Sequence, residues 1–221
     1  TWLELDKTDL TKVLRVYDKP VMPLGGLGAF DEHSIYPTSV FKDGDDIRLY
    51  YAGWFRCSSV PFNCSIGLAY SKDGGDTFER LGVGPILPPS LDEPFVISGP
   101  KIRKFDGLYY LYYLAGKEWI TYDNSPEIIY KIRMAVSKNG IVFDRSNVDI
   151  IGDLLGKNEC QAGPDVFKYK DKFHMYFVYR EGVDFRTKRG RGYKIGYASS
   201  KDGLDWVRDD ENVGIDYSDE G

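Results

Sequence analysis

Short apolar runs alternate with turn-forming residues along the whole chain, and the order of the runs repeats. An apolar stretch after a proline (Ser39-Val40-Phe41) is followed by an Asp-Gly turn (Asp43 to Asp46) and a Tyr-rich run (Ile47 to Tyr51). A variable loop leads to Ile66 to Tyr70, a Ser-Lys-Asp-Gly turn (Ser71 to Gly74) and an aromatic-x-Arg segment, Phe78-Glu79-Arg80. The same order returns from Lys101-Ile102-Arg103 through Leu108 to Leu114 and Ile132 to Val136, ending on Phe143-Asp144-Arg145. It returns again from Asp165-Val166-Phe167 through Phe173 to Tyr179 and Ile195 to Ala198, ending on Trp206-Val207-Arg208. Apolar runs of strand length bounded by Asp-Gly turns predict antiparallel hairpins. Each unit therefore reads as four short strands. No helix longer than a turn or two is expected; Asp9 to Tyr17 is the weak candidate, and strand or coil is preferred there.

The period is regular. The opening prolines, Pro37, Pro100 and Pro164, are 63 and 64 residues apart. The serines of the turns, Ser71, Ser137 and Ser200, are 66 and 63 apart. Two landmarks holding one period indicate a copied supersecondary unit stacked on itself, and four-stranded antiparallel units so repeated predict an all-β chain, a β-propeller. The expected division is a closing strand and lead-in over 1–35, units over 36–98, 99–162 and 163–212, and the start of a further unit over 213–221. That is about three and a half blades, so the chain reads as a fragment of a longer protein. Lys19 to Pro23 resembles Gly84 to Pro88 in its place before a unit, which suggests an outer strand displaced to close a ring and hide sheet edges.

Composition narrows the function classes. The 221 residues carry a net charge of −5, which does not favour nucleic acid as a partner. The basic cluster Arg186 to Arg191 is short and reads as a loop. No apolar run reaches the roughly 18–20 residues of a membrane span. No leader is visible, although the chain starts at Thr1 without Met, so a removed leader stays open. Cys57, Cys64 and Cys160 do not form a disulfide framework; a Cys57–Cys64 pair and a reduced, cytoplasmic state both fit. Two histidines exclude a His-rich metal site. No cofactor is expected, though a channel-bound divalent ion such as calcium would suit a few carboxylates and waters. The oligomeric state is not legible.

In a propeller the residues leading into each first strand face the axis, and here every leader is acidic. Glycosidic bond cleavage needs one protonated carboxyl and one ionised carboxylate. Glu159 is the candidate general acid, Asp31 and Glu32 the base or nucleophile, and Asp92 a further catalytic candidate. His33 and Glu93 are candidate sugar-binding groups. Trp54 and Trp119, where loops leave the Tyr-rich strands, are candidate stacking platforms. Arg180 holds the corresponding place in the third unit and can bind a carboxylated or phosphorylated sugar.

These motifs together, the Tyr-Tyr strand, Ile-Gly-x-Ala, Ser-Lys-Asp-Gly and aromatic-x-Arg, resemble the five-bladed propeller glycosidases: the arabinanase/xylosidase, invertase-like and mannoside-phosphorylase groups. Gly53-Trp54, Pro61-Phe62 and Ile66 to Ala69 are similar to a subgroup encoded with polysaccharide-biosynthesis genes. The resemblance implies a carbohydrate ligand at the channel mouth and cleavage by paired carboxylates. The aspartate those enzymes carry before the first-blade proline is Tyr36 here, and the matching slots are Gly99 and Gly163. Asn158-Glu159-Cys160 is similar to the Glu-Cys of the invertase acid/base strand. Two functions follow: a glycoside hydrolase-like enzyme, or a non-catalytic carbohydrate-binding or polysaccharide-assembly module.

Overall fold

The computed structural model describes residues 1–213. Its strands are β1 (Trp2–Leu5), β2 (Val13–Tyr17), β3 (Ser34–Asp43), β4 (Asp46–Arg56), β5 (Phe62–Ser71), β6 (Glu79–Arg80), β7 (Ile97–Phe105), β8 (Leu108–Tyr122), β9 (Ser125–Ser137), β10 (Asp144–Arg145), β11 (Cys160–Tyr169), β12 (Lys172–Arg180), β13 (Lys194–Ser200) and β14 (Val207–Arg208). Strands β3 to β6, β7 to β10 and β11 to β14 form three four-stranded sheets, each antiparallel in sequence order. These are three blades. The first strands begin several residues before the points expected from the sequence, so the leaders are themselves partly strand. The start of a further unit expected over 213–221 lies, except for Val213, outside the described residues.

β1 and β2 pair with each other as a separate ribbon, and Asp9 to Tyr17 ends as strand. The Lys19 to Pro23 stretch lies against the first blade. The Phe78 N–H donates to the Val21 carbonyl at 2.8 Å, and Met22 is buried with Leu49 and Phe78.

The core lies between blades, and the Tyr-rich strands show why. In β8 successive side chains point to opposite faces. Tyr109, Leu111 and Tyr113 pack with Tyr50, Ile66 and Leu68 of the first blade. Tyr110 and Tyr112 pack with Val166, Met175 and Phe177 of the third. A strand buried on both faces reads as an unbroken apolar run, which is how Leu108 to Leu114 appears in the sequence.

Turn chemistry sets the registers. Asp106 and Gly107 have φ of 49° and 84° and form the two-residue link between β7 and β8, a turn that matches strand twist. In the Ser-Lys-Asp-Gly turns the serine Oγ accepts the N–H of a residue three or four places on: Gly75, Gly140 and Gly203 donate to Ser71, Ser137 and Ser200 at 2.8–2.9 Å. The Asp202 carboxylate accepts the N–H groups of Leu204 and Asp205, as the Asn139 side-chain oxygen does those of Ile141 and Val142. These backbone donors hold the Asp202 carboxyl below its ordinary range. Its contribution to stability is therefore present above the unfolded value of about 4 and is lost as the pH falls through the lower folded value. Asp202→Asn, which copies the second blade, should keep the turn and flatten part of the acid limb in a series of urea melts below about pH 4.

The glycine of the Ile-Gly-x-Ala strand has a specific task. Gly67 faces Tyr51 across the sheet, and Gly196 faces Phe177. A Cβ on Gly196 would lie 2.4 Å from the Phe177 ring. The bare backbone gives the opposing aromatic a place to lie flat.

Candidate functional site

Three of the acidic leaders are engaged within their own blades. Asp31, Glu93 and Glu159 are each fully buried, and each is held by the arginine of its own blade's outer strand. Asp31 Oδ2 accepts Arg80 Nε at 2.7 Å and the Tyr51 hydroxyl at 3.1 Å. Glu93 accepts the Tyr113 hydroxyl at 2.8 Å, Arg133 Nη1 at 3.2 Å and Arg145 Nη1. Glu159 accepts Arg208 Nη1 at 2.7 Å and Gln161 Nε2 at 2.8 Å through one oxygen, and the N–H groups of Leu154 and Leu155 at 2.8 Å through the other. The same arginines also bind lead-in carbonyls: Arg80 that of Pro23, Arg145 that of Pro88 and Arg208 that of Gly152. The three carboxylates thus latch each incoming segment to its blade. Burial, then the neighbouring carboxylate, pushes the Tyr51 and Tyr113 phenols well above their usual range.

Asp31 and Glu159, expected as acid or base, and Glu93, expected at the sugar, are engaged in these intramolecular bonds in this structure. All three are enclosed and hydrogen-bonded. The remaining leader candidates have contacts of their own. Glu32 accepts the Gly28 N–H at 2.8 Å, exposed His33 donates its backbone N–H to the Trp54 carbonyl, and exposed Asp92 takes a weak bond from Asn147. None of these three lines the principal cavity.

That cavity, of about 750 Å³, opens where the first strands of all three blades meet. Tyr36–Thr38, Ser98, Gly99, Lys101, Ala162 and Gly163 line it from the three first strands. Each of these strands carries a register shift at this level, a device that re-aims side chains beside functional surfaces. Gly99 and Gly163 take φ of 61° and 58° there, a left-handed backbone that a side chain would strain. The slots where the resemblance implies an aspartate are therefore shaped for glycine in the second and third blades, while Tyr36 is exposed on the cavity wall.

Trp54, Trp119 and Arg180, picked out by their places after the Tyr-rich strands, do line the cavity. Trp54 stacks on Phe62 with ring centroids 4.5 Å apart, and Phe62 meets Trp119 edge-on at 5.8 Å. Arg180 lies over the Phe185 ring at 3.4 Å and near Tyr130 and Tyr193. Lys101 and Glu127, and Arg186 from the basic cluster read as a loop, also face this space. Glu127 accepts a 2.8 Å bond from Arg186. Among the described residues no three or more His, Cys, Asp or Glu side chains gather as a metal site. The three cysteines are free. No helix among these residues is long and apolar enough to cross a membrane.

Solved structures share this architecture. A family 117 glycoside hydrolase of the marine bacterium Zobellia galactanivorans superposes with a TM-score of 0.61 at 19% identity, covering 86% of this chain and 60% of that one. A GH32 β-fructofuranosidase of Bombyx mori gives 0.57 at 19% identity, covering 77% and 35%. The fold is that of propeller-type glycoside hydrolases. By sequence, this propeller chain is 30% identical over 210 residues to an uncharacterized protein of Mycobacterium tuberculosis (strain ATCC 25618 / H37Rv), spanning 94% of this chain and 65% of that protein. It is 27% identical over 154 residues to a 1,2-β-oligomannan phosphorylase of Thermoanaerobacter sp. (strain X514), spanning 63% of this chain and 48% of the phosphorylase. The chain thus spans under two thirds of the length of these relatives. No family model matches it.

Proposed function

We propose that this chain builds the saccharide-binding mouth of a carbohydrate-active propeller protein of the glycoside hydrolase kind. The observation that carries this is the aromatic wall of Trp54, Phe62 and Trp119 around a cavity at the meeting of three bulged first strands. Flat aromatic faces bind the apolar faces of sugar rings while polar tips serve the hydroxyls. The volume is that of an ordinary small-ligand site. The fold shared with glycoside hydrolases and the phosphorylase relative agree with a carbohydrate ligand.

In the enzyme form of this proposal, Glu127 is the one carboxylate among the described residues that lines the cavity, and glycosidic cleavage would need a second about 5–9.5 Å away. The second form is a binding module without turnover. The engagement of Asp31, Glu93 and Glu159 in latches favours it, as do the glycines at the pre-proline slots.

The test is glycan binding to the intact protein, followed by tryptophan fluorescence and calorimetry over a broad oligosaccharide panel. Trp119→Ala should weaken binding roughly tenfold, about 1.4 kcal/mol. Absence of any glycan response would remove the proposal. Product release abolished by Glu127→Gln would select the enzyme, and binding without turnover the module.

A further inference from the structure

The cavity joins apolar walls to an uncompensated positive charge. Arg180 is 3% exposed. It is buried, whereas the latch arginines Arg80, Arg145 and Arg208 are half-buried. Each of those has a carboxylate partner. Arg180 has none among the described residues. Its Nη1 donates to the carbonyls of Glu181 and Gly182, and its Nε has no partner. The guanidinium is held instead between the faces of Phe185, Tyr130 and Tyr193, and the last two are joined by a 3.0 Å hydroxyl contact. The Trp54 indole N–H on the same cavity wall is a second buried donor without a partner.

Lys101, on the cavity wall, likewise makes no ion pair among the described residues. Arg186 is neutralised by Glu127. The cavity wall therefore holds two cations in excess, within a chain whose net charge is −5. A buried cation is costly unless something compensates it. A guanidinium fixed by aromatic faces is pre-organised for a planar or tetrahedral oxyanion.

We infer that the saccharide taken by this cavity bears an anionic oxygen group, a carboxylate or a phosphate, which Arg180 and Lys101 bind while the sugar ring lies against the aromatic wall. This rests on the carbohydrate reading above and specifies its substrate class. The aromatic cage fixes the guanidinium at the cavity wall. Lys101 contributes a flexible point charge from the opposite first strand.

Binding of matched ligands to the intact protein tests it: hexuronates, hexose 6-phosphates, the corresponding neutral hexoses and inorganic phosphate alone, each at low and at about 0.5 M salt. The acidic sugars should bind at least tenfold more tightly than their neutral counterparts, with the gap narrowing in salt. Lys101→Gln should cut that preference several-fold without moving the unfolding midpoint, because Lys101 holds nothing in the fold. Arg180→Lys, which keeps the charge and loses the planar fork, should cut it further. Preference for the hexuronate assigns a carboxylate, and preference for the phosphate ester a phosphate. Equal binding of acidic and neutral sugars, or an acid preference untouched by Lys101→Gln, would overturn the inference and leave the carbohydrate reading standing. Inorganic phosphate binding as tightly as any sugar ester would also overturn it, since the ring would then add nothing. No binding of any sugar would remove the carbohydrate reading itself.

Discussion

Glu93→Ala should destabilise the protein by about 3–5 kcal/mol, the loss expected when one member of a buried ion pair is removed. Glu93 is fully buried and receives Arg145, Arg133 and the Tyr113 hydroxyl. Its removal leaves the Arg145 guanidinium, 13% exposed, with only carbonyl and hydroxyl partners. Arg133 retains Asp149 at 2.7 Å, so the damage centres on Arg145. Glu93→Leu combined with Arg145→Leu should recover part of the loss, because both charges then leave the interior together. Urea melts with unchanged m would measure both. A cost under about 1 kcal/mol for Glu93→Ala would mean that the latch contributes little.

Gly67→Ala should cost about 1–3 kcal/mol through overpacking. The new methyl would sit 2.3 Å from Cζ of Tyr51 and 2.5 Å from its hydroxyl oxygen. That ring cannot easily withdraw. Its hydroxyl donates to Asp31 and its face lies against Phe30. Gly196→Ala meets Phe177, which has no hydroxyl tether, so its cost should be the smaller of the two in thermal or urea unfolding. The second blade tests the logic internally. The position opposite Tyr113 is Arg133, whose side chain reaches Glu93 instead of meeting a flattened ring.

The blades were legible in the chain because strand alternation, Asp-Gly turns and serine-capped turns are local chemistry, and each occurs three times. The cavity aromatics were legible by position: Trp54 and Trp119 leave the ends of strands whose register the hairpins determine. The sequence also contains the partners that hold the buried carboxylates in this structure. Asp31, Glu93 and Glu159 recur with the blade period, and so do Arg80, Arg145 and Arg208. A residue repeated in every unit serves the unit, whereas a catalytic group is needed once. Lys101 in β7, Glu127 in β9 and Arg186 in the β12–β13 connection reach the cavity through folding geometry that no local motif marks.

The account separates scaffold carboxylates from a ligand-binding aromatic wall, and one paired measurement tests that separation. Glu159→Gln and Trp119→Ala would be compared for glycan affinity at a temperature where both remain folded, with the unfolding midpoint of each recorded. The expected result is a lowered midpoint with affinity within about twofold for Glu159→Gln, and a roughly tenfold loss of affinity with little change in midpoint for Trp119→Ala. Loss of glycan affinity or turnover in Glu159→Gln at an unchanged midpoint would contradict the account, for it would return Glu159 to the ligand.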